Sequence, residues 1–121
     1  MYVEKDDILF TDKGGGITQR MLGWKEQLMA VEMTFKKGAY VAPHCHDKNI
    51  QCIYIVRGSF EITCGDRKVS AKPGDCFYAD YGEMHGTLCL EDDSVLLDIH
   101  TPMRPDILAE GLEYRRKNGR E

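Results

Sequence analysis

The chain has 121 residues, 42% hydrophobic and 30% charged, a balance that suits one soluble domain spanning 1–121. Its net charge of −4, with basic side chains gathered only at Arg115-Arg116-Lys117 and Arg120, argues against nucleic acid as a partner. No apolar run approaches the roughly 20 residues of a membrane-spanning helix, and the start, Met1-Tyr2-Val3-Glu4-Lys5-Asp6-Asp7, does not read as a secretion signal.

Taken in chain order, the pattern is one of short strands with regular punctuation. Residues 1–20 look poorly suited to a core of their own. Ile17-Thr18-Gln19-Arg20-Met21 reads as a strand, and its Arg20 is either a surface residue or a weak candidate for holding a carboxylate. Residues 28–35 alternate, with Val31, Met33 and Phe35 on one face, and Gly38 breaks the run. Residues 40–46 are extended, with Pro43 near an edge or bend, and Asp47-Lys48-Asn49 is a polar turn. The β-branched stretch 51–56 ends at Gly58; residues 60–64 follow, and Gly65-Asp66 is a hairpin signal. Residues 68–72 lead into the turn Pro73-Gly74. Strands at 75–79, 86–90 and 94–100 complete the series, with Glu91-Asp92-Asp93 between the last two. Turns recur about every 10 residues, which predicts an all-β sandwich or closed barrel with its core at about 27–102. Only 105–117 has helical character, with Pro105 allowed in a first turn.

The five cysteines, Cys45, Cys52, Cys64, Cys76 and Cys89, are odd in number and form no CxxC. Four lie in apolar strand-like runs, where free cysteine acts as a small hydrophobe. A disulfide framework is therefore not expected, and a cytoplasmic location fits.

His44-Cys45-His46 carries the strongest chemical signal. Two histidines one residue apart point to the same side of a strand and can chelate a transition metal. Cys45 between them points the other way. Past the polar turn, Gln51 shares a face with Ile53 and Ile55; if that face lines the barrel, Gln51 lies inside beside the histidines and needs partners for its amide. Asp98 and His100 likewise share a face, opposite Leu97 and Ile99. They are either site residues or solvated groups on the last strand. Arg104 suits a carboxylate but is equally readable as a surface residue. Tyr78, Phe77, Tyr40 and Trp24 read as core or dimer-interface aromatics more readily than as platforms for a ligand.

These spacings resemble the cupin superfamily. Its first motif runs Gly, five residues, His-x-His, three or four residues, Glu, six residues, Gly; Gly38, His44, His46 and Gly58 fit it, with Gln51 at the Glu position. Its second motif is matched by Gly74, Gly82 and His85, with Asp80 and Cys89 replacing its Pro and Asn. The resemblance implies a small jelly-roll β-barrel with a divalent transition metal (Zn, Ni, Fe, Co, Mn or Cu) held by His44, His46, Gln51 and His85. Gln in place of Glu removes a negative charge from the ligand set, which favours Lewis-acid over oxygen chemistry. From Gly23 through Leu108 the chain resembles more closely the small cupins of pectin and alginate breakdown, which promote opening of 4,5-unsaturated uronates to linear keto acids. That resemblance implies Asp98, His100 and Arg104 as catalytic residues, with His100 standing where those proteins typically carry Phe. It implies a sugar-acid substrate and a homodimer. A metal-dependent dioxygenase and a non-catalytic small-molecule binder are the alternatives.

Overall fold

A computed structural model of the chain describes residues 2–119. Met1, Arg120 and Glu121 lie outside the described residues, and with them the first residue of the N-terminal reading and the last cation of the basic tail. Among the described residues no helix is long and apolar enough to cross a membrane.

Alternating apolar residues become strands because each pleat buries one face and wets the other. The strands are β1 (Leu9–Gly14), β2 (Ile17–Lys25), β3 (Leu28–Phe35), β4 (Tyr40–His44), β5 (Ile50–Arg57), β6 (Phe60–Cys64), β7 (Arg67–Ala71), β8 (Cys76–Ala79), β9 (His85–Cys89) and β10 (Ser94–Thr101), followed by helix α1 (Pro105–Lys117). They form a six-stranded sheet in the order β1-β2-β3-β10-β5-β8 and a four-stranded sheet in the order β4-β9-β6-β7. All pairings are antiparallel. The result is the expected jelly roll, two facing sheets with a short C-terminal helix.

The main core lies between the sheets. Phe35 of one sheet meets Phe60 of the other edge-on, with ring centroids 5.1 Å apart, and Ile53, Ile55, Ile62 and Leu96 pack around them. Each such side chain, fully buried, stabilises by about 1.5–3 kcal/mol. At one end the core gives way to a cavity, and there the inward faces of β5 and β10 turn polar.

Residues 1–20 form no core of their own, as expected. Paired as a hairpin and extending the large sheet, β1 and β2 share a second core with β3 and α1: Leu9, Met21, Met29, Val31 and Ile107. The hairpin is poor in apolar residues because only alternate positions, Leu9, Ile17 and Met21, have to be apolar, and α1 covers what the opposite sheet does not. Pro105 sits in the first turn of α1, and Gly111 lets the helix lie directly on Leu9. The cysteines depart from expectation. Cys89 alone is buried; Cys52 and Cys64 are half-buried, and Cys45 and Cys76 are exposed. On the outward face of β5 and β8 the thiols of Cys52 and Cys76 lie 3.3 Å apart.

Candidate metal centre and its cavity

Strand pairing builds the site. His44 ends β4 and His85 begins β9, and the two face each other in register. His46 follows just past the strand end, so the three rings cluster with centroids 4.4 Å (His44–His85), 5.0 Å (His44–His46) and 5.2 Å (His46–His85) apart. One ligand atom from each lies within 4.8 Å of the others. Backbone carbonyls fix the ring roles. His44 Nδ1 lies 2.8 Å from Ala42 O, and His85 Nδ1 lies 3.1 Å from Glu83 O. A carbonyl only accepts, so each Nδ1 carries the proton and donates, leaving Nε2 a lone pair for a metal.

Gln51, at the start of β5, stands opposite His100 of β10, and Asp98 stands opposite Ile53 one pleat along. All three polar residues are buried. Five buried side-chain atoms have no hydrogen-bond partner among the described residues, and four of them are here: Gln51 Oε1, His85 Nε2, Asp98 Oδ1 and His100 Nδ1. Each such group left unpaired costs about 1–3 kcal/mol. Clustered at one point, they mark a place built to bind something. The donor set fits a divalent transition metal: the Nε2 lone pairs of His44 and His85, the His46 imidazole and one amide oxygen. Cys45 is exposed and stands outside the histidine cluster, as strand alternation requires.

Burial sets the charges. Asp98 is pushed up to about 7 by burial, against the lowering influence of the Gln51 amide and Arg104. His46 is held down to about 4 and His100 to about 3, in both cases first by burial and then by the Arg104 cation. His85 is lowered for the same leading reason. Burial therefore favours the neutral forms of His46, His85 and His100 and leaves Asp98 a carboxyl that exchanges its proton near neutrality.

Arg104 lies just before α1, its Nη1 3.4 Å from His46 Nε2, while its Nη2 donates to Asp106 Oδ2 at 2.6 Å. Asp98 and His100 are buried, not solvated on an outer face, and with the half-buried Arg104 they line one cavity of about 310 Å³ together with His44, His46, Gln51 and His85. Arg20 does not join them. It points to the outward face of the sheet and bonds Glu32 Oε1 at 2.8 Å. Phe77 lines the cavity, Trp24 packs on the second core, and Tyr40 and Tyr78 are exposed. Sequence reasoning missed Lys13, Gln19, Asp106 and Glu110 as cavity residues. Strand parity held a signal for one of them, since Gln19 alternates with the inward Ile17 and Met21.

A family model describing the cupin domain matches residues 31–100. The chain belongs to the cupin family. It is 39% identical over 107 residues to the pectin degradation protein KdgF of Dickeya dadantii, an alignment covering 88% of this chain and 97% of that protein. Its structure is similar to that of KdgF from Halomonas sp., with a TM-score of 0.83, 34% identity, and coverage of 88% of this chain and 99% of that one. An RmlC-like cupin from Shewanella frigidimarina matches with a TM-score of 0.81, 31% identity and coverage of 88% and 94%.

Proposed function

We propose that this cupin is a metal-dependent enzyme that opens the ring of a 4,5-unsaturated uronate and converts it to the linear keto acid. The observation that carries the reading is the set of partnerless buried atoms around the histidine cluster, with a buried carboxyl and an arginine in the same cavity. The similarity to a protein of pectin degradation supports the substrate class, because pectin is a polymer of uronic acids. His44 and His85 through Nε2, His46 through its imidazole, and Gln51 through Oε1 would hold the metal. A divalent ion bound by neutral ligands supplies Lewis-acid polarisation of sugar oxygens.

The remaining work falls to the chain's own residues. Arg104 binds the uronate carboxylate and sets the ring over Asp98. Asp98 takes the proton of the anomeric hydroxyl as the bond from the anomeric carbon to the ring oxygen breaks. The ring oxygen leaves as an enol oxygen on C5. Asp98 then returns a proton to C4 as the enol becomes a ketone, so the reaction is an isomerisation with no net proton gain or loss. A carboxyl with its affinity near 7 is matched to this two-way transfer, which contributes about 10²–10⁴-fold. His100, neutral and with Nδ1 free of protein partners, hydrogen-bonds a substrate hydroxyl in place of an apolar ring contact.

The test mixes purified, metal-loaded protein with unsaturated monouronate and follows the ring-alkene absorbance; no acceleration over the uncatalysed rate refutes the activity. We also read the protein as a cytoplasmic homodimer. The free thiols support the first point, and the exposed Tyr54, Val56 and Tyr78 on the outward face of β5 and β8 support the second.

A further inference from the structure

The cavity has a second polar end that the proton-transfer chemistry does not use. Segments from the two ends of the chain build it: β1 supplies Lys13, β2 supplies Gln19 and α1 supplies Glu110. Lys13 Nζ lies 3.2 Å from Glu110 Oε1, and Gln19 Nε2 donates to the same oxygen at 3.2 Å. Stability does not account for this trio. An ion pair whose side chains are 34% and 42% exposed contributes about 0–1 kcal/mol. Gln19 is only 3% exposed, at a position whose inward neighbours Ile17 and Met21 are apolar, so burying an amide there costs more than a hydrocarbon side chain would.

Two rulers measure how far this end lies from the first. Across the sheet, Gln19 is opposite Met33 of β3, and Met33 is opposite Leu96 of β10, one pleat from Asp98. Two strand spacings put Gln19 roughly 10 Å from β10. Along α1, Asp106 holds Arg104 and Glu110 holds Lys13, and these residues are one helical turn apart, roughly 6 Å. Ile17, Met33 and Leu96 line the cavity between the ends. The separation suits a uronate ring whose carboxylate is at one end and whose C2 and C3 hydroxyls, across the ring, are at the other.

We infer that Lys13, Gln19 and Glu110 form a second binding subsite, which takes the C2 and C3 hydroxyls of a sugar acid whose carboxylate is held at Arg104 and whose anomeric hydroxyl stays at Asp98. This rests on the sugar-acid reading of the site. Lys13 and Gln19 donate to hydroxyl oxygens, Glu110 accepts from a hydroxyl, and the deoxygenated C4 edge of the ring lies against the apolar strip. An acid too short to cross the strip gains nothing from the subsite.

The experiment measures kcat and KM for 4,5-unsaturated monogalacturonate, and inhibition by glycolate, a two-carbon acid that reaches the Arg104 end only. It compares the wild type with Lys13→Met, Glu110→Gln and the charge-preserving Lys13→Arg. The expected result is a KM raised about tenfold in the first two variants with kcat nearly unchanged, the loss of one charge-assisted contact. Glycolate inhibition and melting temperature stay at wild-type values, and Lys13→Arg restores KM. Unchanged KM in both variants overturns the subsite and leaves the sugar-acid reading intact. Equal weakening of glycolate also overturns it, since the trio would then support the whole cavity. Absence of turnover by the wild type overturns the sugar-acid reading, and the subsite's ligand with it.

Discussion

Gly86→Ala should loosen the metal centre without touching a ligand. Gly86 follows His85 in β9, and β4 runs alongside with His44 opposite His85. A Cβ on Gly86 would lie 2.9 Å from Pro43 N, 3.0 Å from Pro43 Cα and 3.0 Å from Val41 O. These are backbone atoms, so no rotamer change relieves the clash. Restoring a contact of ~3.5 Å requires β4 to retreat by roughly 0.5 Å. Pro43 directly precedes His44, so the retreat carries that imidazole away from His85. Metal sites tolerate about 0.2 Å of ligand displacement, and the shift is more than twice that. The expected loss is on the order of 10–100-fold in metal affinity, as for other disturbances to the support of a ligand, with about 1–3 kcal/mol of stability lost to overpacking. Competition against a chromogenic chelator reads the affinity, and urea unfolding reads the stability. Metal affinity within twofold of wild type would refute the reasoning that strand spacing holds the histidine cluster together.

Asp98→Asn should keep full metal content by elemental analysis and lose at least about 10²-fold in turnover; a fully active variant would remove Asp98 from the mechanism. Gly58→Ala supplies a contrast to Gly86→Ala. Gly58 has φ +82°, and a Cβ there would fall 1.9 Å from Ser94 Oγ, a buried hydroxyl that accepts from Ser59 N at 3.1 Å and donates to Glu91 O at 2.6 Å. Left-handed strain and overpacking together should cost about 2–5 kcal/mol with metal affinity retained, and a loss under 1 kcal/mol in urea unfolding would contradict the packing account. Light scattering at micromolar concentration should give a dimer mass for the wild type and a monomer mass for Tyr78→Lys; a wild-type monomer would exclude the outward face of β5 and β8 as an interface.

The candidate metal centre was legible in the sequence because it is written in spacing. His44, His46, Gln51 and His85 sit between glycines at fixed intervals, and histidine is rare enough in this chain, at four residues, for the pattern to stand out. Parity also placed Asp98 and His100 on one face. Parity could not say whether that face looks inward. The pairing of β10 with β5, which sets His100 against Gln51, is a contact between residues about fifty positions apart and leaves no local trace. The N-terminal hairpin was obscured for a different reason. Its turn, Gly14-Gly15-Gly16, and its charged outward residues dilute the apolar signal, and the residues that matter, Lys13 and Gln19, acquire their meaning only from Glu110 at the other end of the chain. Cys76 was misread because an apolar neighbourhood along the chain does not fix which face of an edge strand a residue occupies.

The most direct test of the central claim is a titration of metal-stripped protein with a divalent transition metal, recording the rate of alkene loss from unsaturated monouronate after each addition. The account predicts negligible turnover at the start and a rate that rises linearly to a plateau at one metal per chain, with His85→Ala failing to respond. A rate in the stripped protein equal to the plateau rate, or no turnover at any metal content, would contradict it.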